Sequence, residues 1–262
     1  MQQEPLDQKI ERNVQNVAEK TQEQAQNVVE QAQQEVVRSR VPWYRLLKRA
    51  HLLIGFYLIQ FILFTLLAWF VHVNPILPVD IVITREFQEN TFPLLNNFMI
   101  AVSYLGNNSI VFVILIVLTA LIFWLVRLRL EALLIIALSL VSALFNVAIK
   151  LLVSRPRPTV RLVDVLQTAT GASFPSGHVM SYVAFFGLLF SLSLILFRRD
   201  RFWHYALLII SALFVILVGP SRIYLGDHWA SDVLGGYLFG GMLLGISLWI
   251  YLKLKEKGVL QR

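Results

Sequence analysis

The sequence predicts an all-α integral membrane protein: six transmembrane helices in a bundle, preceded by an N-terminal cytoplasmic helix that is amphipathic or frayed. Three observations predict it. The 262 residues are 57% hydrophobic and only 15% charged, with mean hydropathy +0.66, whereas a soluble domain carries about 25% charged residues. Six apolar stretches, near 52–71, 109–126, 132–149, 179–197, 205–219 and 233–252, contain no Asp, Glu, Lys or Arg, and a bilayer crossing needs roughly 20 such residues. Finally, the cations between those stretches are shared unevenly. The same composition excludes a disordered chain, being too rich in Leu, Ile, Val and Phe. The absence of Cys excludes disulfide frameworks, thiolate metal sites and cysteine nucleophiles.

In chain order, residues 1–40 are a Gln-rich extension holding ten Gln, seven acids and five bases, with no signal-peptide core. Gln15-Asn16-Val17-Ala18-Glu19 recurs eleven residues later as Gln26-Asn27-Val28-Val29-Glu30, a spacing that keeps a narrow apolar stripe on one side of a helix. The stripe suits a surface-lying amphipathic helix, a self-associating helix or a solvated, frayed one. Residues 41–262 form the six-span domain, with its polar core at 150–232. Between the first two spans, 92–104 is apolar but broken by Pro93, Asn96 and Asn97, and reads as an interfacial or half-buried helix. The fifth span is short unless Trp203 and Pro220 join its ends. The sixth carries Gly236/Gly240 and Gly241/Gly245, small-residue pairs that permit close packing against the other spans.

Six spans place both termini on one side. With the N-terminal segment, 127–129, 198–201 and the C-terminal tail in the cytoplasm, 17 of the 23 cations lie inside, as the positive-inside rule requires. The net charge of +7 therefore reports topology, and no basic face for nucleic acid is visible. Of the six cations left outside, Lys150, Arg155, Arg157, Arg161 and Arg222 gather beside the outer ends of spans 3 and 5. Snorkelling explains a single such residue. Five together call for an anion.

Polar residues cluster at three places on that same face. Lys150 and Arg157 leave span 3, and with Arg222 they supply a point charge and planar forks suited to a phosphoryl group. Pro156 and Pro158 hold the intervening turn extended, Arg155 competes with Arg157 for the role, and Arg161 reads as interfacial. Ser176-Gly177-His178 opens span 4 behind Pro175, where free backbone N–H groups bind phosphate oxygens and Gly lets the anion approach. Ser176 serves equally well as a plain N-cap. His178 beside that site can pass a proton to a leaving group. His228 and Asp232, four apart, share a face if helical, and a carboxylate on one ring nitrogen leaves the other free to attack. Asp227 reads as the N-cap of the last helix. The outer carboxylates Asp80, Glu86, Glu89, Asp164, Asp227 and Asp232 are scattered, so no metal cage and no cofactor are expected; Lys and Arg would do the work of a metal.

Lys150-x6-Arg157-Pro158, Pro175-Ser176-Gly177-His178 and Ser221-Arg222-x5-His228-x3-Asp232 resemble, in order and spacing, the three signature motifs of the type 2 phosphatidic acid phosphatase superfamily. The resemblance covers about 85–255. It implies that His228 is the nucleophile, forming a phosphohistidine, that Asp232 orients it, and that His178 protonates the leaving oxygen. Lys150, Arg157, Arg222, Ser176 and Gly177 would bind the phosphoryl oxygens, and the family spacing selects Arg157 over Arg155.

The implied function is that of an integral membrane lipid phosphatase or diphosphatase of the plasma (inner) membrane, acting on its non-cytoplasmic face. Phosphatidic acid, phosphatidylglycerophosphate and undecaprenyl diphosphate are all compatible, the substrate tail staying in the bilayer. Trp229, Tyr224 and Phe174 fit an aromatic interface belt, and the 159–173 loop reads as a mobile cover. Two other functions remain open: a haloperoxidase-like oxidoreductase holding vanadate, and a non-catalytic lipid-phosphate binder or transporter. Vanadate separates the first, since it inhibits a phosphatase and is required by such a peroxidase; two imidazoles with a carboxylate argue against the second, because binding needs only the cations.

Overall fold

The computed structural model describes residues 50–196 and 202–260, with a few helical positions between 20 and 26; the extension read over 1–40 otherwise lies outside the described residues. Among them every regular element is helical. The order is α1 (Ala50–Val73), α2 (Pro78–Gln88), α3 (Pro93–Asn107), α4 (Ser109–Leu125), α5 (Arg129–Val153), α6 (Gly177–Tyr182), α7 (Leu188–Leu196), α8 (Phe202–Tyr224) and α9 (Ala230–Glu256). One turn of π-helix over Val183–Gly187 joins α6 and α7 into a single span.

Five helices are long and apolar enough to cross a bilayer, and α3 with α4 makes a sixth when taken as one span bent by 69°. The chain is a multi-pass membrane protein. The bend was not visible as such in the sequence, which reads 92–104 and 109–126 as separate elements. Asn108 makes it: its backbone leaves the helical region, and its side chain accepts the N–H of Val111 at 3.2 Å, capping α4. Leu, Ile and Phe side chains of α1 and α4 point outward, as lipid-facing positions should, whereas the α6–α7 span is the most enclosed.

The last helix lies against that central span and α1. A Cβ on Gly236 would stand 3.0 Å from the Ser176 carbonyl oxygen, and one on Gly245 would run into the Tyr57 ring. The small-residue pairs of α9 are thus used up inside the chain, which holds the start of α6 close to the start of α9.

The fifth span outruns its expected end at 219, because α8 continues through Pro220 to Tyr224. A proline removes one helical hydrogen bond and crowds the carbonyl four residues back. The Tyr237 hydroxyl of α9 bridges the opened turn: it receives the Gly219 N–H at 3.2 Å, donates to the Val215 carbonyl at 2.6 Å and lies 3.4 Å from the Ile216 carbonyl that Pro220 leaves without its helical donor. The extra turn carries Ser221 and Arg222 to the site.

The 159–173 loop, read above as a mobile cover, is tied down at several points. Gln88 of α2 exchanges hydrogen bonds with the Asp164 backbone, Leu166 N–H donates to the Leu225 carbonyl, and Ser173 N–H donates to the Arg155 carbonyl.

Candidate active site

The three polar segments meet at one end of the bundle, where α5 and α8 finish and α6 and α9 begin. His228 lies in the turn between α8 and α9, just outside the helix that carries Asp232. Two features shape that turn. Gly226 has φ +71° and passes so close to the Asp164 carbonyl that a Cβ would sit 2.1 Å from its oxygen, so only glycine fits. The N–H groups of Asp227 and His228 then fold back onto the Arg222 carbonyl.

His228 is 1% exposed. Its Nε2 faces Nη1 of Arg157 at 3.3 Å. A guanidinium only donates, so Nε2 must accept and the ring proton belongs on Nδ1. That nitrogen faces Ser173 Oγ at 3.3 Å and Asp232 Oδ2 at 3.5 Å. Burial, reinforced by the charges of Arg157, Arg222 and Lys150, pushes the imidazole well below its ordinary value of 6.5. The ring is therefore neutral at physiological pH, with the Nε2 lone pair toward the cations.

Asp232, the third residue of α9, divides its oxygens. Oδ2 accepts the Trp229 N–H at 2.9 Å and the Ser173 hydroxyl. Oδ1 accepts Nη1 of Arg155 at 2.7 Å. Arg155 is itself buried, and its Nη2 reaches Asp80 of α2 at 2.7 Å, while Asp80 takes the Ser231 N–H and hydroxyl. Arg155 therefore works behind Asp232, and Arg157 stands beside His228.

On the opposite wall, Ser176 occupies the N-cap position of α6, yet its hydroxyl makes no capping bond and is buried without a partner. His178 donates from Nε2 to Asn107 Oδ1 at 2.8 Å, and the same oxygen accepts Nη1 of Arg222 at 3.2 Å. Nη2 of Arg222 pairs with the Asp227 carboxylate, while its buried Nε has no partner. The Lys150 ammonium is near enough for its charge to act on both imidazoles. Buried donors without partners are costly. Here two of them, with the start of a helix and three cations, outline a cradle for an anion.

All eight residues singled out from the sequence, His228, His178, Asp232, Lys150, Arg157, Ser176, Gly177 and Arg222, are brought together. Four readings are corrected. Asp227 is not the N-cap of α9, because Trp229 holds that position and Asp227 is spent on Arg222. Burial raises its carboxyl, against the pull of Arg222 and Arg157. Trp229, Tyr224 and Phe174 form no interface belt, since all three are buried behind the site, with Trp229 Nε1 donating to the Pro156 carbonyl. His228 and Asp232 share no helical face. And Asp80 and Asp232, read as lying apart, meet on the Arg155 guanidinium, while Asp227 pairs with Arg222; among the described residues no three carboxylates or histidines stand at metal-ligand spacing. Sequence reasoning missed Ser173 and Asn107 and noted Asp80 only as one of the outer carboxylates, without a role; the local signals were a serine two residues ahead of Pro175 and a Gly-Asn-Asn run between two apolar stretches.

Residues 130–256 match the family described as the PAP2 superfamily. Phosphatidylglycerophosphatase B of Bacillus subtilis (strain 168) is 30% identical over 189 residues, 70% of this chain and 88% of that protein. The chain belongs to the PAP2 superfamily. An undecaprenyl-diphosphatase of Sulfolobus acidocaldarius is 33% identical over 81 residues, 31% of this chain and 34% of that protein. A solved transmembrane PAP2-type phosphatidylglycerolphosphate phosphatase from Bacillus subtilis shares the fold with TM-score 0.63 and 28% identity, covering 77% of this chain and 96% of that one. The protein is thus a membrane-embedded hydrolase of a phosphatase superfamily. The PAP2 match runs from α5 to α9 and encloses all eight expected residues. Asp80 and Asn107 reach the site from helices outside it.

Proposed function

We propose that this PAP2 protein hydrolyses a phosphomonoester or pyrophosphate of a membrane lipid through a phosphohistidine on His228. One observation carries the reading: a buried, neutral imidazole whose Nε2 lone pair faces Arg157, within the electrostatic reach of Arg222 and Lys150, with its Nδ1–H turned toward Ser173 and Asp232. With a phosphoryl group on Lys150, Arg157, Arg222, the Ser176 hydroxyl and the Gly177 N–H, Nε2 attacks phosphorus. The P–N bond forms as the ester P–O bond breaks. The leaving oxygen takes the proton of His178, and Asp232 balances the charge that grows on His228. In the second half His178 removes a proton from water, hydroxide attacks phosphorus, the P–N bond breaks and phosphate leaves. The account needs no metal, because the cations hold the equatorial oxygens.

The relatives' names favour phosphatidylglycerophosphate and undecaprenyl diphosphate as substrates, with phosphatidic acid chemically equivalent. The cation bias of the loops favours both termini in the cytoplasm of the plasma (inner) membrane and the site on the opposite face. The test is phosphate release from these three lipids by detergent-purified protein with chelator present. Activity is expected in the wild type, with near-total loss in His228→Ala and strong loss in His178→Ala. A strict need for Mg²⁺ contradicts the cation-only account, and full activity in His228→Ala contradicts the nucleophile.

A further inference from the structure

We infer that Asn107, at the broken end of α3, is the positioning residue of the leaving-group side: it holds His178 with the proton on Nε2. This rests on the functional reading above and names a residue that reading does not contain.

The geometry decides the amide's orientation first. Asn107 Oδ1 lies 3.2 Å from Nη1 of Arg222 and 2.8 Å from Nε2 of His178. Arginine only donates, so the atom facing it is the amide oxygen, and an amide oxygen only accepts. The His178 nitrogen on the other side must then carry hydrogen. Two arginines thus set the two imidazoles in opposite states: Arg157 demands a lone pair on Nε2 of His228, and Arg222, through Asn107, demands a proton on Nε2 of His178. The first is the state a nucleophile requires; the second keeps Nε2–H on Asn107, so the proton that His178 gives the leaving oxygen is the one Nδ1 carries in the imidazolium.

The fold commits backbone to this contact. Of two adjacent asparagines, Asn108 caps α4 and Asn107 turns to the site. Beside them Gly106 leaves the ring no room to spare, since a Cβ there would stand 2.1 Å from His178 Cδ2. The Gly106 N–H reaches the Tyr182 hydroxyl, one turn beyond His178, and that hydroxyl donates to the Val102 carbonyl. The cations facing His178 are Lys150 from α5, Arg157 from the following turn and Arg222 from α8, and the titratable neighbour is His228 from the turn before α9, neutral unless protonated. All of these oppose a second proton on the ring. Asn107 supplies a neutral acceptor among them, lending the imidazolium a hydrogen bond without competing with phosphate for the site.

The experiment measures kcat and KM against pH on phosphatidylglycerophosphate in detergent micelles, for wild type, Asn107→Ala, Asn107→Asp, Gly106→Ala and His178→Ala. Asn107→Ala should lower kcat about tenfold or more with KM changed less than threefold, a part of the roughly 10²–10⁴-fold that general acid catalysis contributes. Gly106→Ala, which forces the ring aside, should lower kcat as well. The alkaline limb of kcat should move to lower pH in Asn107→Ala and to higher pH, by about one unit or more, in Asn107→Asp, where a carboxylate faces the imidazolium. A merely structural role moves neither limb. Wild-type kcat in Asn107→Ala, a loss confined to KM, or limbs moving the same way in both variants overturns the assignment. If His178→Ala keeps wild-type kcat, the functional reading itself has failed; if His178→Ala is impaired while Asn107→Ala is not, only the role of Asn107 has.

Discussion

Ser173 stands between His228 and Asp232, where the motif spacing implies direct contact. The direct separation is 3.5 Å, while the serine hydroxyl touches both partners. Ser173→Ala should therefore weaken the coupling and lower kcat about tenfold, with KM little changed, in phosphate-release assays. His228 also predicts a pH dependence of stability. Folded, it remains neutral below pH 6.5; unfolded, it takes up a proton near that value. The unfolded chain therefore binds more protons, and acidification from 6.5 costs about 1.4 kcal/mol per pH unit from this residue until the folded value is reached. Thermal unfolding in detergent should show this contribution as a steeper loss of stability below pH 6.5 in the wild type than in His228→Gln. At this scale the motif residues were legible because their chemistry is concentrated within short runs. Ser173, Asp80 and Asn107 were not, because each acts on a residue at least 55 positions away, beyond the reach of any helical periodicity.

Among the elements, α8 depends on α9 in a way that local rules miss. Pro220 would be expected to end a span, yet the Tyr237 hydroxyl accepts the Gly219 N–H and donates to the Val215 carbonyl, so the helix runs on to Arg222. Tyr237→Phe should cost about 1 kcal/mol or more in detergent unfolding, the penalty of leaving partly buried backbone groups unsatisfied. It should also lower activity by shifting Arg222; unchanged stability and activity would mean that the proline is accommodated by other means. Boundaries of the plain apolar helices were legible, since length and lack of charge decide them. The α3–α4 bend and the repaired proline were not, because both hinge on one polar side chain.

For the whole molecule, the distribution of cations is the argument for orientation, and the natural absence of Cys makes it simple to test. Val160 is exposed in the loop beside the site, and Val259 is exposed at the opposite end of the bundle. In intact cells a membrane-impermeant thiol reagent should label Val160→Cys and leave Val259→Cys untouched; the reverse pattern would put the site in the cytoplasm. The claim on which the rest stands is that α5, α6, α8 and α9 close around one phosphorus atom and hand it to His228. Acid-free denaturing quench during turnover of ³²P-labelled lipid phosphate, followed by peptide mapping, tests it directly. Acid-labile, alkali-stable label is expected on the peptide carrying His228, absent from His228→Ala and increased in His178→Ala if water attack is slowed more than transfer. Label on another residue, or turnover undiminished in His228→Ala, would contradict it.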